Sequence, residues 1–394
     1  MAKKILVIDD SALMRRVISD IINSDEEYEV EAIAKDGLEG FEMIVSNPNL
    51  YSAVILDINM PKMNGLELLE KLQKNRIEQT VIVVSTVAKE GARETIKALE
   101  LGAFDFVTKP ENYLETKGEV FRNRIKEMLD VATASRPSAP QPAVSRTSIG
   151  TRPRREVTIG KISTPVSGVS SSSLEFRRKT QQMNTVTKKV EPAKFSGIKR
   201  GKNKLVALAC STGGPKTLQK VVPLLPGNLD APMVIVQHMP AGFTASLALR
   251  LNEMSEVNVK EAKDGDVLTK GNVYIAPGGK HLRIVKASAG YEIKLSDEPA
   301  VEGLRPCANI MFQSLEKCSF DEITCVVLTG MGADGTKGIS GLAAQNKKIH
   351  VIAQDEDTCV VYGMPKAIAQ TGLVDEVVPV GQVAEMITKN VGVS

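Results

Sequence analysis

The sequence predicts two α/β domains, each with a doubly wound parallel sheet, joined by a long disordered linker. Short apolar runs alternate with helical patterns in residues 1–122, and the alternation resumes after residue 203. Such alternation is typical of parallel sheets that have helices on both faces. Between the two regions the chain becomes rich in Ser, Thr, Pro, Lys and Arg without a sustained apolar period, which is typical of a mobile tether. The predicted boundaries are 1–122 and 204–394 for the domains and 123–203 for the linker.

The composition indicates an ordinary globular protein. Of the 394 residues, 42% are hydrophobic, which is enough for two cores. No apolar run is long enough to span a membrane and the N-terminus is unlike a signal peptide, so no membrane insertion is expected. The five cysteines are scattered and form no C-x-x-C pair, which predicts a cytoplasmic protein with neither disulfides nor a zinc site.

The charge is unevenly distributed. Residues Thr133–Lys204 contain 16 Lys and Arg and 3 Asp and Glu, a net charge of +13, so the rest of the chain carries −10 of the overall +3. The clusters RPRR and FRRK in this segment raise the alternative that it binds nucleic acid or anionic lipid. Because no folded nucleic-acid reader is evident, we predict a solubilising tether and no nucleic-acid partner.

Five apolar segments predict the strands of the first sheet: Lys4–Asp10, Tyr28–Ala34, Ala53–Leu56, Val81–Val84 and Phe104–Thr108. The carboxyl ends of parallel strands share one edge, where ligands bind. Three carboxylates meet at this edge, those of Asp9, Asp10 and Asp57, and Mg²⁺ suits such oxygen ligands. The alternative is that the acids cap helices, but capping does not account for Lys109 beside them.

The first domain resembles a response-regulator receiver domain in the motifs VIDDS, LDINMPKMNG, VST and DFVTKP. The resemblance implies a flavodoxin-like fold, with Asp57 as the phosphorylated residue. It also implies that Asp9, Asp10 and Asp57 hold the Mg²⁺ needed for phosphorylation. Ser85 would follow the phosphoryl group, Lys109 would balance its charge, and Phe106 would shift on activation.

The second domain is organised around the buried strand Leu205–Cys210, which stops at the turn Ser-Thr-Gly-Gly before a helix. A strand followed by a tight turn and a helix exposes a side chain at the sheet edge, beside free backbone N–H groups. Further apolar runs and helical patterns complete the predicted elements: strands Met233–Gln237, Asn272–Ala276, Ile323–Leu328 and Ile349–Ala353, an antiparallel pair at Leu282–Lys286 and Tyr291–Ser296, and helices Asn309–Cys318, Met364–Gln370 and Gly381–Lys389.

Ser211, His238 and Asp334 each follow the carboxyl end of an apolar strand. A serine hydroxyl becomes a good nucleophile when a base takes its proton, and a carboxylate that orients the base completes the set. Each of the three has an alternative role as a turn or capping residue, but together they predict nucleophilic catalysis.

Two rival interpretations concern the same edge. Cys210 adjoins Ser211 and is an alternative nucleophile, although it completes the apolar run and so fits the core better. Gly330, Gly332 and Gly335 form G-x-G-x-x-G, with Asp355 twenty residues further on, which outlines a dinucleotide-binding motif. Two observations argue against a dinucleotide site. The motif comes late in its domain, and Asp334 would place negative charge beside a pyrophosphate.

Residues from about 204 to 391 resemble the catalytic domain of the chemotaxis receptor methylesterases. The matching stretches are STGGP, IVQHMPAGFT, VYIAPGGKHL, VVLTGMGADG and QDEDTCVVYGMPKAI. The resemblance implies a Rossmann-like domain with Ser211 as nucleophile, His238 as base and Asp334 as orienting carboxylate. It further implies that Thr212 supports this region, that the Met331 N–H helps to form an oxyanion hole, and that His281 lies at the rim. One departure is Asn309, where an acid is expected, which puts some substrate contacts in doubt.

The two resemblances together imply a phosphorylation-activated hydrolase. It would demethylate glutamate methyl esters on chemotaxis receptors, release methanol and deamidate receptor glutamines, with a histidine kinase as phosphodonor and no cofactor for the ester reaction. The unphosphorylated receiver would cover the triad edge. The alternative is a response regulator whose output domain is non-enzymatic or binds a dinucleotide.

Overall fold

The structure, a computed structural model, describes residues 2–110, 118–134, 203–288 and 290–394. Most of the predicted linker therefore lies outside the described residues. Both predicted domains belong to one compact unit of the chain. No helix in the described ranges is long and apolar enough to cross a membrane.

The first domain contains a five-stranded parallel sheet in the order β2-β1-β3-β4-β5, which confirms the predicted doubly wound architecture. Residues 5–8 of β1 and all of β3 and β4 are buried, as expected of strands covered by helices on both faces. The strands are β1 Lys3–Ile8, β2 Tyr28–Ala34, β3 Ala53–Asp57, β4 Val81–Ser85 and β5 Asp105–Thr108.

Polar residues begin the first three helices of this domain. Ser11, Asp36 and Asn64 each accept a hydrogen bond from a backbone N–H of the first turn, and Asn64 forms a reciprocal capping box with Glu67. The described helices are α1 Ala12–Ile22, α2 Gly37–Ser46, α3 Gly65–Lys74, α4 Lys89–Glu100 and α5 Glu119–Ala134.

Helix α5 crosses the predicted end of the first domain, because residue 122 lies inside the helix. Its apolar face, which includes Phe121, Ile125 and Leu129, is buried in the same core as β1, β3 and β4. The Tyr28 hydroxyl also donates to the Asp130 carboxylate, 2.6 Å away. The first domain thus extends to Ala134. Sequence reasoning missed this helix because charged residues interrupt its apolar ones, so no continuous apolar run marks it.

The second domain contains a seven-stranded parallel sheet in the order β14-β13-β12-β6-β7-β9-β8, together with an antiparallel pair formed by β10 and β11. The strands are β6 Lys204–Cys210, β7 Met233–Gln237, β8 Asn258–Glu261, β9 Asn272–Ile275, β10 His281–Ala287, β11 Gly290–Ser296, β12 Glu322–Val327, β13 Ile349–Gln354 and β14 Glu376–Val378. The helices are α6 Gly214–Val221, α7 Phe243–Met254, α8 Ala308–Ser314, α9 Thr336–Ala344, α10 Met364–Ala369 and α11 Val380–Val391.

The sequence analysis did not identify the two edge strands of this sheet, β8 and β14. Both are short, and neither has the continuous apolar run that marks the buried strands. The predicted helix over Asn309–Cys318 is in fact α8 followed by a 3₁₀ turn at Leu315–Lys317. The central strand β6 lies between β7 and β12, where the strand order reverses, and ligands bind at this point of a parallel sheet.

Candidate active site

The turn after β6 presents Ser211 at the carboxyl edge of the sheet. The Ser211 N–H donates to the Thr329 carbonyl at 3.0 Å, and the Gly214 N–H donates to the Ser211 carbonyl at 2.7 Å. Gly213 has φ +74°, in the left-handed region, and a Cβ there would lie 2.4 Å from Cβ of Val360. The turn therefore requires glycine at this position, for its conformation and for space.

Gln237 joins the Ser211 turn to His238. It pairs in register with Cys210 at the ends of β6 and β7, so Ser211 and His238 are the next residues on adjacent strands. Its side-chain Nε2 donates to the carbonyls of Ser211 at 2.9 Å and His238 at 3.0 Å. This buried amide fixes the two strand ends relative to each other.

Asp334 and His238 are joined by a hydrogen bond, with 2.8 Å between His238 Nε2 and Asp334 Oδ2. Both side chains are largely buried. The backbone N–H groups of Ala308, Asn309 and Gly335 also donate to the Asp334 carboxylate, at 2.6, 2.8 and 2.9 Å. Burial by itself would raise the pKa of Asp334, but the hydrogen bonds and charge of His238 and the N–H donors lower it to about 2. The carboxylate is therefore charged at every physiological pH.

The histidine can accept a proton through its other ring nitrogen. With Nε2–H donating to Asp334, Nδ1 holds the lone pair. No hydrogen bond joins the Ser211 hydroxyl to His238 in the described part of the chain. The structure thus brings His238 and Asp334, the predicted base and orienting carboxylate, into contact and places Ser211 on the neighbouring strand end.

The loop that follows β12 runs against the serine turn. A Cβ on Gly330 would lie 2.7 Å from Cβ of Ser211. The Gly330 carbonyl accepts from the N–H groups of Gly363 and Met364, and its own N–H donates to Val361. Among the described residues, the Met331 and Thr212 N–H groups donate to no protein acceptor. Both are therefore free donors on segments adjoining Ser211, as an oxyanion site needs.

The structure argues against both rival interpretations. Cys210 is fully buried, its thiol donates to Gln237 Oε1 at 3.0 Å, and burial strongly raises its pKa. In the glycine motif, the Gly335 N–H donates to Asp334 itself, and Asp355 accepts from the Thr358 N–H. The groups that a dinucleotide would use are thus occupied by protein.

Two further histidines lie outside the site. His281 is fully buried, with Nε2 3.0 Å from the Pro299 carbonyl oxygen, so the expectation that it lines the rim is wrong. His350 lies 3.0 Å from Glu376 at the β13–β14 edge of the sheet.

The acidic edge of the first sheet forms a second site. Carboxylate oxygens of Asp9, Asp10 and Asp57 lie within 4.8 Å of one another. The Lys109 ammonium contacts Asp9 at 2.9 Å and Asp57 at 2.7 Å. Burial raises the pKa of Asp57 to about 6, against the opposing effect of Lys109. An all-oxygen donor set of this kind fits Mg²⁺.

Ser85 and Phe106, which the resemblance assigns to switching together with Lys109, make contacts away from this acidic edge. The Ser85 hydroxyl donates to the Gly91 carbonyl at 3.2 Å instead of pointing to Asp57. Phe106 stacks on Phe243 of the second domain, with ring centroids 4.6 Å apart.

Comparisons with known proteins identify the family of each domain. A family model described as CheB methylesterase matches residues 206–387, and one described as response regulator receiver domain matches residues 5–118. A protein-glutamate methylesterase/protein-glutamine glutaminase of Desulfotalea psychrophila is 38% identical over 98% of both chains. A protein of that description from Pyrococcus horikoshii is 40% identical over 98% of this chain and 93% of its own length. The crystal structure of the Thermotoga maritima CheB methylesterase catalytic domain is 40% identical, and the match covers 48% of this chain and 99% of that one, with a TM-score of 0.46.

The chain belongs to the CheB methylesterase family.

In this member of the CheB family, the receiver domain contacts the methylesterase domain beside the candidate triad. The Gly213 N–H of the serine turn donates to Asp105 Oδ2 of β5 at 3.4 Å. A cavity of about 40 Å³ separates the domains there. Its lining includes His238 and Thr212 from one domain and Asp105, Phe106 and Arg124 from the other.

A second interdomain contact lies further out. Arg250 of α7 bonds both carboxylate oxygens of Glu100 in α4, at 2.9 and 3.1 Å. Sequence reasoning missed Asp105, Gln237, Glu100 and Arg250, because no local pattern shows which surfaces of the two domains meet.

Proposed function

We propose that this chain hydrolyses methyl esters of glutamate side chains on chemotaxis receptors and deamidates receptor glutamines. The observation that carries the proposal is the buried His238–Asp334 pair beside the Ser211 turn, at the point where the strand order reverses. The substrate class comes from the relatives, which are described as protein-glutamate methylesterases and protein-glutamine glutaminases.

In the proposed reaction, the Ser211 oxygen attacks the ester carbonyl while His238 Nδ1 takes the hydroxyl proton. The developing oxyanion rests on backbone N–H groups near Met331 and Thr212, each such donor being worth roughly 10²–10³ in rate. His238 then gives the proton to the methoxy oxygen, and methanol leaves. Water, deprotonated by His238, hydrolyses the acyl-serine and frees the glutamate carboxylate. With a glutamine amide, ammonia leaves instead.

Asp334 serves this cycle as a fixed negative charge. Its low pKa keeps it ionised while His238 alternates between neutral and protonated forms. The N–H donors from α8 and from Gly335 hold the carboxylate in place, so the imidazole keeps one orientation through both half-reactions.

We further propose that phosphorylation of Asp57 by a histidine kinase controls this activity. Asp9, Asp10 and Asp57 would hold Mg²⁺, which neutralises phosphoryl oxygens when it is bound. A phosphoryl group adds nearly two negative charges beside Lys109. Ser85 and Phe106 would then turn towards Asp57, which removes the Phe106–Phe243 stack and loosens the receiver from the triad edge.

The test of the hydrolase is methanol release from methylated receptor membranes by the purified full chain. We expect Ser211→Ala and His238→Ala each to lower the rate by at least about 10³-fold. Cys210→Ala, which removes the adjacent rival nucleophile, should keep activity of the same order as the unaltered chain. Methanol release that survives Ser211→Ala, or that disappears in Cys210→Ala while the fold is retained, would contradict the proposed mechanism.

Control by phosphorylation is tested in the same assay with a small-molecule phosphodonor such as acetyl phosphate. The unaltered chain should respond with a higher rate, and Asp57→Ala should retain only its basal rate. A phosphodonor response that persists in Asp57→Ala would rule out control through this residue.

A further inference from the structure

Asn309 connects the two helices that lie behind Asp334. Its backbone N–H donates to Asp334 Oδ1 at 2.8 Å. Its side-chain Oδ1 accepts from the N–H groups of Gly335 at 3.0 Å and Gly338 at 2.9 Å. The residue is 7% exposed, so these bonds form away from solvent. One side chain therefore reaches from α8 to the start of α9, on either side of the triad carboxylate.

These bonds satisfy donors that α9 cannot satisfy by itself. The first N–H groups of a helix have no partner within the helix, and a polar side chain at the N-cap usually accepts from them. Here the N-cap is Gly335, at φ +94°, which has no side chain to do so. The two helices also touch closely, because a Cβ on Gly338 would lie 2.6 Å from Cβ of Phe312. Asn309 thus caps α9 from a neighbouring helix and fixes the loop that carries Asp334.

We propose that Asn309 is a positioning residue of this active site, whose neutral amide oxygen holds Asp334 in place without adding a second negative charge behind His238. The proposal rests on the function proposed above, since it takes His238 as the base and Asp334 as its partner. It also gives a different account of the departure from the family pattern, because the Asn309 side chain faces α9 and not a substrate.

The Asn309 side chain is neutral at a position where an acid is expected, and this difference in charge matters for His238. Asn309 Oδ1 and Asp334 Oδ1 both accept from the Gly335 N–H, so they lie at most about 6 Å apart. An aspartate at 309 would have the same shape and accept the same bonds. Its charge would favour the protonated form of His238, since a nearby negative charge stabilises imidazolium.

Other charged or titratable groups already surround the pair. They are the Cys307 thiol, which donates to Asp334 Oδ1 at 3.2 Å, the Lys337–Glu302 ion pair at the start of α9, and Asp105 and Arg124, which line the same cavity as His238. These groups are the same in both variants below, so a difference between the variants reports position 309.

The first experiment compares Asn309→Asp with Asn252→Asp. Asn252 Oδ1 likewise accepts a backbone N–H, that of Val259, but lies on α7 and bonds neither Asp334 nor its donors. We expect Asn309→Asp to move the acidic limb of kcat/KM for methanol release upward by about 0.5–1 pH unit, while Asn252→Asp leaves it in place. The chain has three histidines, so the ring signals of His238 can also be titrated directly by NMR, with His238→Ala as the assignment control.

The second experiment removes the acceptor. Asn309→Ala should lower kcat about tenfold with KM nearly unchanged, because the Gly338 N–H loses its acceptor and the Asp334 loop becomes free to move. Asn309→Asp should restore most of this loss at high pH, whereas a side chain needed only for stability would change the unfolding temperature and not kcat.

The proposal would be overturned if Asn309→Asp and Asn252→Asp showed the same acidic limb of kcat/KM and the same His238 titration. An unchanged kcat in a folded Asn309→Ala would also overturn it. If the unaltered chain releases no methanol, the proposed function fails, while the NMR titration still decides the effect of position 309 on His238.

Discussion

Two buried aspartates lie at the carboxyl edges of the two sheets, and their pKa values are shifted in opposite directions. Burial raises the pKa of Asp57 to about 6, because Asp9 adds a second negative charge and Lys109 only partly compensates. The pKa of Asp334 falls to about 2, because His238 and backbone N–H groups outweigh the effect of burial. Both carboxylates are almost inaccessible to solvent, so the hydrogen-bond donors around each one decide the direction.

The opposite pKa shifts of Asp57 and Asp334 match the different roles proposed for them. The receiver carboxylate lies in a site crowded with charge, where a cation and a phosphoryl group are easily accommodated. The esterase carboxylate is saturated by fixed donors and is left to orient a histidine. The position of an aspartate at a strand end therefore does not define its role. The number of hydrogen-bond donors around its carboxylate does.

The largest expected effect comes from removing the negative charge of Asp334. Asp334→Asn keeps the shape of the side chain but favours the wrong tautomer of His238. We expect kcat for methanol release to fall by roughly 10³–10⁴-fold with a small change in KM. The matched change Asp57→Asn should leave basal activity within about twofold. A fall in kcat of less than tenfold for Asp334→Asn would mean that its charge is not used in catalysis.

The next prediction concerns stability and its pH dependence. The folded-state pKa of Asp57, about 6, lies above its ordinary value of 3.8, so folding favours the protonated form, and stability is lost as the pH rises from about 4 to about 6 and stays lower above that. Asp57→Asn should therefore raise the free energy of unfolding by about 1 kcal/mol at pH 8, and the gain should shrink as the pH falls towards 4.

Asp334 gives the opposite sign in the same measurement. Its folded-state pKa is lowered, so its ionised form stabilises the fold above about pH 4, and this stability is lost as the pH falls towards 2. Thermal unfolding of Asp334→Asn and Asp57→Asn at several pH values provides the check. If both variants changed the stability of the fold in the same direction at pH 8, the contrast between the two sites would be lost.

The smallest expected effect concerns the contact between the receiver and the methylesterase domain. Arg250→Ala removes the ion pair with Glu100 between α4 and α7, in which both side chains are about three-quarters buried. We expect the unphosphorylated rate of methanol release to rise about two- to fivefold, as a contribution of up to about 1 kcal/mol to docking allows. Arg16→Ala, which removes a highly exposed pair with Asp20 on α1, is the matched control and should have no effect. Equal rates for the two variants would show that this ion pair does not hold the receiver in place.

The amino-acid sequence by itself determined the architecture and the chemical groups. The apolar runs at β1, β3, β4, β6 and β12 are buried on both sides, so their composition alone marks them as strands of parallel sheets. Because strands of such a sheet end at one edge, Ser211, His238 and Asp334 could be assigned to one site without coordinates, and so could Asp9, Asp10 and Asp57.

The tertiary structure alone decided which atoms bond at those edges. The low pKa of Asp334 depends on His238 and on N–H groups from α8, more than twenty residues away in the chain, and the Asn309 side chain bonds the start of α9. The contacts of Asp105 with Gly213 and of Glu100 with Arg250 join the two domains. Burial patterns and strand ends are local properties that a sequence displays, whereas hydrogen bonds between distant segments depend on how the helices and domains pack. For this reason the sequence could indicate the candidate catalytic residues, and the structure was needed to see what contacts them.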